Sequence, residues 1–169
     1  MDQRQLPEDF KDFINFLNGN DVCYLLVGGW AVGIYGYPRA TKDIDFLVAN
    51  DEKNLKKLQK ALREFGTPEI DMSPFKEKGY VFRMGRSPIQ IDIINDATGI
   101  DIAECYKRRD VITVEGVDIS VISKNDLIKN KKASGRNQDL ADVENLIGED
   151  NEENGAGLPK TFYQGILKG

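Results

Sequence analysis

Histidine is absent from all 169 residues. That excludes an imidazole base, Ser-His-Asp and Cys-His nucleophile systems, and His-ligated zinc. Acid–base chemistry therefore falls to carboxylates, lysines or tyrosines. Cysteine is scarce: Cys23 and Cys105 are the only two. Neither belongs to a C-x-x-C pair that would hold zinc or a redox couple, so both are expected as buried thiols in a reducing cytoplasm. No apolar run approaches the roughly 20 residues a membrane span needs. The opening MDQRQLPEDF also lacks the charged and apolar regions of a secretory leader. A cytoplasmic protein with no membrane partner is expected. Basic residues are in deficit, 23 against 28 acidic, so the chain as a whole has no field to attract a long nucleic acid. A locally basic groove for tRNA remains compatible with that total.

The length suits one domain. Residues 8–18 place Phe10, Phe13, Ile14 and Leu17 at the spacing of one helical face, and Gly19-Asn20 stops them. The apolar run 22–27 reads as a buried strand; a paired glycine, Gly28-Gly29, and a short helix over 30–35 follow. Strands are predicted at 44–48, 80–84 and 89–94, with a long helix over 51–65 between the first two. Residues 111–114 and 117–121 flank Glu115-Gly116 as a hairpin. Two helices close the pattern. The first is capped by Ser123, with Asp126 as a short capping-box partner. The second, 137–147, has Leu140, Val143, Leu146 and Ile147 on one side and Asp139 and Asp142 on another edge. The order predicts an α+β (α/β) fold, a mixed β-sheet flanked by helices with helices at the C-terminal end. Residues 1–148 are expected as the domain, 149–157 as a flexible acidic linker, and 158–169 as a tail whose apolar residues dock on the domain or on a partner.

Chemistry concentrates in VGGWAVGIYGYPRATKDIDFLV, residues 27–48. Residues two apart on a strand share a face, so Asp43 and Asp45 present two carboxylates together while Ile44 and Phe46 turn to the core. Side by side these charges repel, and hard Mg²⁺, which prefers oxygen ligands, relieves them. Without Cβ atoms, Gly28 and Gly29 let a polyphosphate approach the backbone N–H groups at the start of the helix. A third carboxylate is expected from Asp92, set between isoleucines in PIQIDII, an unfavourable place for a charge unless it meets a metal or a donor. Asp96 and Asp101 are its competitors nearby. If the Asp92 strand lies beside the Asp43 strand, the three form a two-metal site, with Asp92 the base for an incoming hydroxyl or amine. Trp30 and Tyr35 are read as core aromatics, and 129–132 as a charge run at a helix end. Arg136 with Asp139 and Asp142 stays open between an ion-pair cluster and a substrate contact.

Val27-Gly28-Gly29, then Asp43-Ile44-Asp45, then Asp92 resemble the signature of the DNA polymerase β-like nucleotidyltransferase superfamily. PRATKDID (38–45) and DLIKNKKASGRNQDLAD (126–142) resemble blocks of its small bacterial members: minimal nucleotidyltransferases, AbiEii-type toxins, and lincosamide or aminoglycoside nucleotidyltransferases. The resemblance spans about 22–147. It implies a nucleotidyltransferase fold and transfer of a nucleoside monophosphate from a triphosphate, ATP the expected donor, with Mg²⁺ or Mn²⁺ and release of pyrophosphate. Asp43, Asp45 and Asp92 would hold the metals, and Gly28 and Gly29 would seat the triphosphate. Arg39, Lys42 and Lys131 would balance phosphate charge; Lys131 and Asp139 are the nearest match to a Lys and late Asp of the AbiEii-like group. The acceptor is expected to be a small molecule or a protein side chain. Alternatives are a toxin acting on tRNA or protein beside a cognate antitoxin, and an inactive nucleotide-binding module; a homo-oligomer is compatible with each.

Overall fold

The computed structural model describes residues 5–37, 41, 43–86 and 88–153, with backbone only over 149–153. The first helix, α1 (Glu8–Gly19), buries the four apolar residues that share its face, Phe10, Phe13, Ile14 and Leu17. All four residues of β1 (Tyr24–Val27) are buried, as a central strand requires. The chain then turns into α2 (Gly28–Ile34), β2 (Asp43–Val48) and α3 (Glu52–Phe65). Asp51 caps α3 by accepting the Asn54 N–H, and Gly66 closes it at φ 102°. A 3-10 turn (Ser73–Lys76) leads to β3 (Val81–Arg86) and β4 (Ile89–Ile94). There follow α4 (Ile102–Lys107), the hairpin β5 (Asp110–Val114) and β6 (Val117–Val121), then α5 (Lys124–Ser134) and α6 (Asn137–Glu153).

The six strands form one mixed sheet in the order β3-β4-β2-β1-β6-β5. β2 runs parallel to β4, and β1 parallel to β6; the other neighbouring pairs are antiparallel. Alternation along β2 assigns its two faces. Ile44 and Phe46 are fully buried, whereas Asp43 and Asp45 keep partial access to solvent. On the apolar face, Phe46 meets Phe13 of α1 at 5.5 Å and Tyr24 at 5.7 Å between ring centroids, and Phe13 meets Phe65 of α3 at 5.2 Å. Such edge-to-face pairs add about 0.5–1.5 kcal/mol each beyond area burial. The carboxylate face is the one that α5 and α6 approach.

One expectation about an element is corrected. α6 turns Asp139 and Asp142 inward with Val143 and Leu146, while Leu140 and Ile147 are 47% and 40% exposed. The inward face is thus part polar, because Lys131 on α5 supplies the counter-charge. The same helix continues to Glu153, through 149–153 of the stretch expected as a linker. Residues 154–169, with the tail segment, lie outside the described residues. The 3-10 turn and α4 have no counterpart in the sequence reading. Both are too short for periodicity to register, although Asp101 caps α4 by accepting the Ala103 N–H at 3.1 Å.

Candidate active site

The site is a row of side chains laid across four strands. Val27 pairs with Asp45, Asp45 with Asp92, and Asp92 with Arg83. Because β2 and β4 are parallel neighbours in this register, Asp45 and Asp92 emerge on the same face, and Asp43 joins them two residues away on β2. One carboxylate oxygen from each of Asp43, Asp45 and Asp92 lies within 4.8 Å of the others. At one end of the row the chain leaves β1 through Gly28. A Cβ there would lie 2.3 Å from Asp45 Oδ2, and φ is +72°, so glycine is required both by space and by backbone. At the other end Arg83 grips Asp92 through Nε to Oδ1 at 2.9 Å and a terminal nitrogen to Oδ2 at 3.2 Å.

Crowding of like charge shows in the protonation behaviour. Asp45 is pushed up to about 7, first by burial and then by Asp43 and Asp92; the ammonium of Lys131 pulls the other way. Asp43 is raised as well, by burial and by its contact with Asp92. The donor set is all carboxylate and closely spaced, so it fits a hard divalent cation such as Mg²⁺ or Mn²⁺. The competing carboxylates do other work: Asp101 caps α4, and Asp96 pairs with Lys78 at 3.9 Å.

Over the glycine and Asp45 part of the row opens a cavity of about 690 Å³ lined by Gly28, Gly29, Asp43 and Asp45 on the sheet side and by Lys131, Arg136 and Asp139 on the α5–α6 side. Thr41 also lines it and donates to the Asp43 carbonyl at 3.0 Å. Lys131 is buried and bridges Asp139 and Asp142, 3.2 Å from each. Burial by itself would raise Asp139, but Arg136 and Lys131 outweigh it and hold the carboxyl below the usual range. Arg136, whose side chain is 80% exposed, pairs with Asp139 at 2.8 Å and is, among the described residues, the solvent-facing cation of the cavity wall. Arg39 and Lys42 lie outside the described residues. Trp30 packs edge-on against Phe10 at 5.8 Å, and Tyr35 is buried with its hydroxyl against Asp110 and the Ile122 carbonyl, so both serve the core.

Residues 5–149 match the family described as nucleotidyltransferase of unknown function (DUF6036). The chain belongs to that family. Solved structures agree on the fold. A Thermotoga maritima protein described as a nucleotidyltransferase is 18% identical over 83% of this chain and 89% of its own, with a TM-score of 0.53. The lincosamide antibiotic adenylyltransferase LnuA, solved with lincomycin bound, is 17% identical over 85% of this chain and 98% of its own, at 0.57. ANT(2'')-Ia, solved with adenylyl-2''-tobramycin, is 14% identical over 92% of each chain, at 0.51. At such identity the likeness establishes the nucleotidyltransferase fold and leaves the acceptor unassigned. No curated protein matches the sequence. No helix among the described residues is long and apolar enough to cross a membrane.

Arg83 is the feature of this site that sequence reasoning missed. It stands outside the glycine and Asp-x-Asp blocks, and its only signal is the alternating phase of the strand that pairs with Asp92.

Proposed function

We propose that this nucleotidyltransferase moves a nucleoside monophosphate, with ATP the expected donor, onto a hydroxyl or amine of a small-molecule or protein acceptor and releases pyrophosphate. The observation that carries this reading is the convergence of Asp43, Asp45 and Asp92 beside the Gly28-Gly29 turn, with Asp43 and Asp45 at the wall of a cavity large enough for a nucleotide. Asp43 and Asp45 would hold the divalent cations, with Asp92 sharing one of them. Bound there, Mg²⁺ or Mn²⁺ supplies charge neutralisation for the oxygens that attack and leave in an in-line displacement.

Everything else is asked of the chain's own groups. Gly28 and Gly29, lacking side chains, leave the backbone open to phosphate oxygens. Lys131 sets a fixed positive charge in the cavity wall, and the exposed Arg136, bonded to Asp139 through Nε, can turn its terminal nitrogens to a phosphate as it enters. Asp92 accepts the proton of the attacking hydroxyl, a role open to a carboxylate in a protein without histidine. In this reading the phosphates lie at the glycine end of the row and the acceptor at the Asp92 end.

The test supplies the protein with Mg²⁺, a cell extract and ATP, GTP, CTP or UTP labelled at the α-phosphate. Label should pass into one acceptor with pyrophosphate released, and Asp45→Asn should transfer none. The chemical class of the labelled product, whether small molecule, protein or tRNA, identifies the acceptor. Equal labelling by wild type and Asp45→Asn would remove the proposal.

A further inference from the structure

We propose that Arg83 is a built-in counter-cation of the third carboxylate: it positions Asp92 while the site holds no metal, and competes with a divalent cation for the oxygens of Asp92. This rests on the metal-site role given above to Asp43, Asp45 and Asp92.

Three observations carry it. First, the contact is a two-point fork that engages both Asp92 oxygens, at 2.9 and 3.2 Å, so whichever oxygen faces a cation is already accepting from the guanidinium. Gln90 Nε2 adds a longer contact to Oδ1 at 3.4 Å. Second, the two partners differ sharply in exposure. The Asp92 side chain is 6% exposed and that of Arg83 is 61% exposed. An arginine from the edge strand thus covers a buried carboxylate, and can leave it for water without opening the core. Third, the positive charge is unevenly shared. Among the described residues no ion pair reaches Asp43 or Asp45, and Lys131 is committed to Asp139 and Asp142. Of the three acids, Asp92 is the one that a cation among the described residues pairs with directly.

The consequences follow from charge. A cation arriving between Asp43, Asp45 and Asp92 meets the guanidinium both as a like charge and as a rival for lone pairs. Its affinity in the free protein is therefore weaker than three carboxylates alone would provide. When the cation takes Asp92, the guanidinium is released at the sheet edge, at the end of the row opposite Gly28.

The experiment titrates Mn²⁺ into the metal-free protein at pH 8 and follows the electron paramagnetic resonance signal of free Mn²⁺, for wild type, Arg83→Gln, Arg83→Lys and Asp45→Asn. Arg83→Gln is expected to bind Mn²⁺ about tenfold more tightly than wild type, equivalent to about 1.4 kcal/mol. Arg83→Lys, which keeps the charge but loses the fork, should fall between them, and Asp45→Asn should lose the tight site. If Asp45→Asn loses binding while both Arg83 variants match wild type or bind more weakly, the counter-cation role is wrong and the metal site stands. If wild type and Asp45→Asn bind alike, the metal site itself is wrong, and this proposal falls with it.

Discussion

Asp45 sits buried beside two other carboxylates, and the sign of its effect on stability can be worked out. Its folded-state pKa, about 7, lies above the ordinary value of 3.8. A carboxyl that holds its proton more tightly when folded stabilises the fold at low pH, and that contribution is lost as pH rises through 7. Asp126 and Asp139 are shifted downward, so their stabilisation is lost only as pH falls below the ordinary carboxylate range, a separate window. Urea unfolding in EDTA should therefore show the protein less stable at pH 8.5 than at pH 5.5, by about 1–3 kcal/mol. Asp45→Asn should flatten that slope, gain stability at pH 8.5, and lose turnover by about a thousandfold or more. A variant as pH-sensitive as wild type would refute the assignment. Gly28 stands against the same carboxylate. Gly28→Ala places a methyl group into Asp45 Oδ2 and strains a backbone at φ +72°. It should cost about 1–3 kcal/mol, read from the urea midpoint, and should depress turnover by displacing Asp45.

Among the elements, α5 and α6 act as a hairpin held by charge as much as by apolar contact. Gly135 ends α5 in the left-handed region at φ 68°, and Lys131 reaches back to Asp139 and Asp142 on α6. All three are buried. Lys131→Met should destabilise the fold by about 3 kcal/mol, because two buried carboxylates lose their shared ammonium. Arg136→Ala should cost under about 1 kcal/mol, since its side chain is 80% exposed. Chemical denaturation separates the two, and equal losses would contradict this account. The same hairpin explains a misreading. Apolar spacing assigned Leu140 and Ile147 to the inner face, but two aspartates stand there because their partner sits on another helix. Ser123 does cap α5, accepting the Asp126 N–H at 3.2 Å, but the Asp126 carboxylate is committed to Arg108 at 3.1 Å. By contrast, the Glu115-Gly116 hairpin forms with both residues at positive φ, 50° and 82°. Glu115 is tolerated there because its carboxylate also receives the Leu6 N–H at 3.1 Å and Lys11 at 3.5 Å.

At the scale of the molecule, stability and ligand occupancy are linked. A cation that binds the folded site and not the unfolded chain stabilises by about 2.7 kcal/mol at a hundred times its Kd. For a domain of this size that is about 5–10 °C in Tm. Differential scanning fluorimetry at pH 8 should show this shift on adding Mn²⁺ in place of EDTA, and the Asp45→Asn protein should not respond. The order of the longer elements, the strand positions of the three aspartates and the glycine turn were all legible in the sequence. Each depends on neighbours a few residues away: alternation along a strand, spacing along a helix, and glycine where a side chain would collide. Absence of histidine was equally decisive, since it left carboxylates as the chemistry to look for. Only the tertiary structure decided that β2 lies parallel to β4 with Asp45 opposite Asp92, that Lys131 is buried between two acids of α6, and that Arg83 covers Asp92 from the next strand. Those facts depend on register and on the pairing of charges far apart in the chain, and local pattern carries no record of which distant strand or helix will supply the partner.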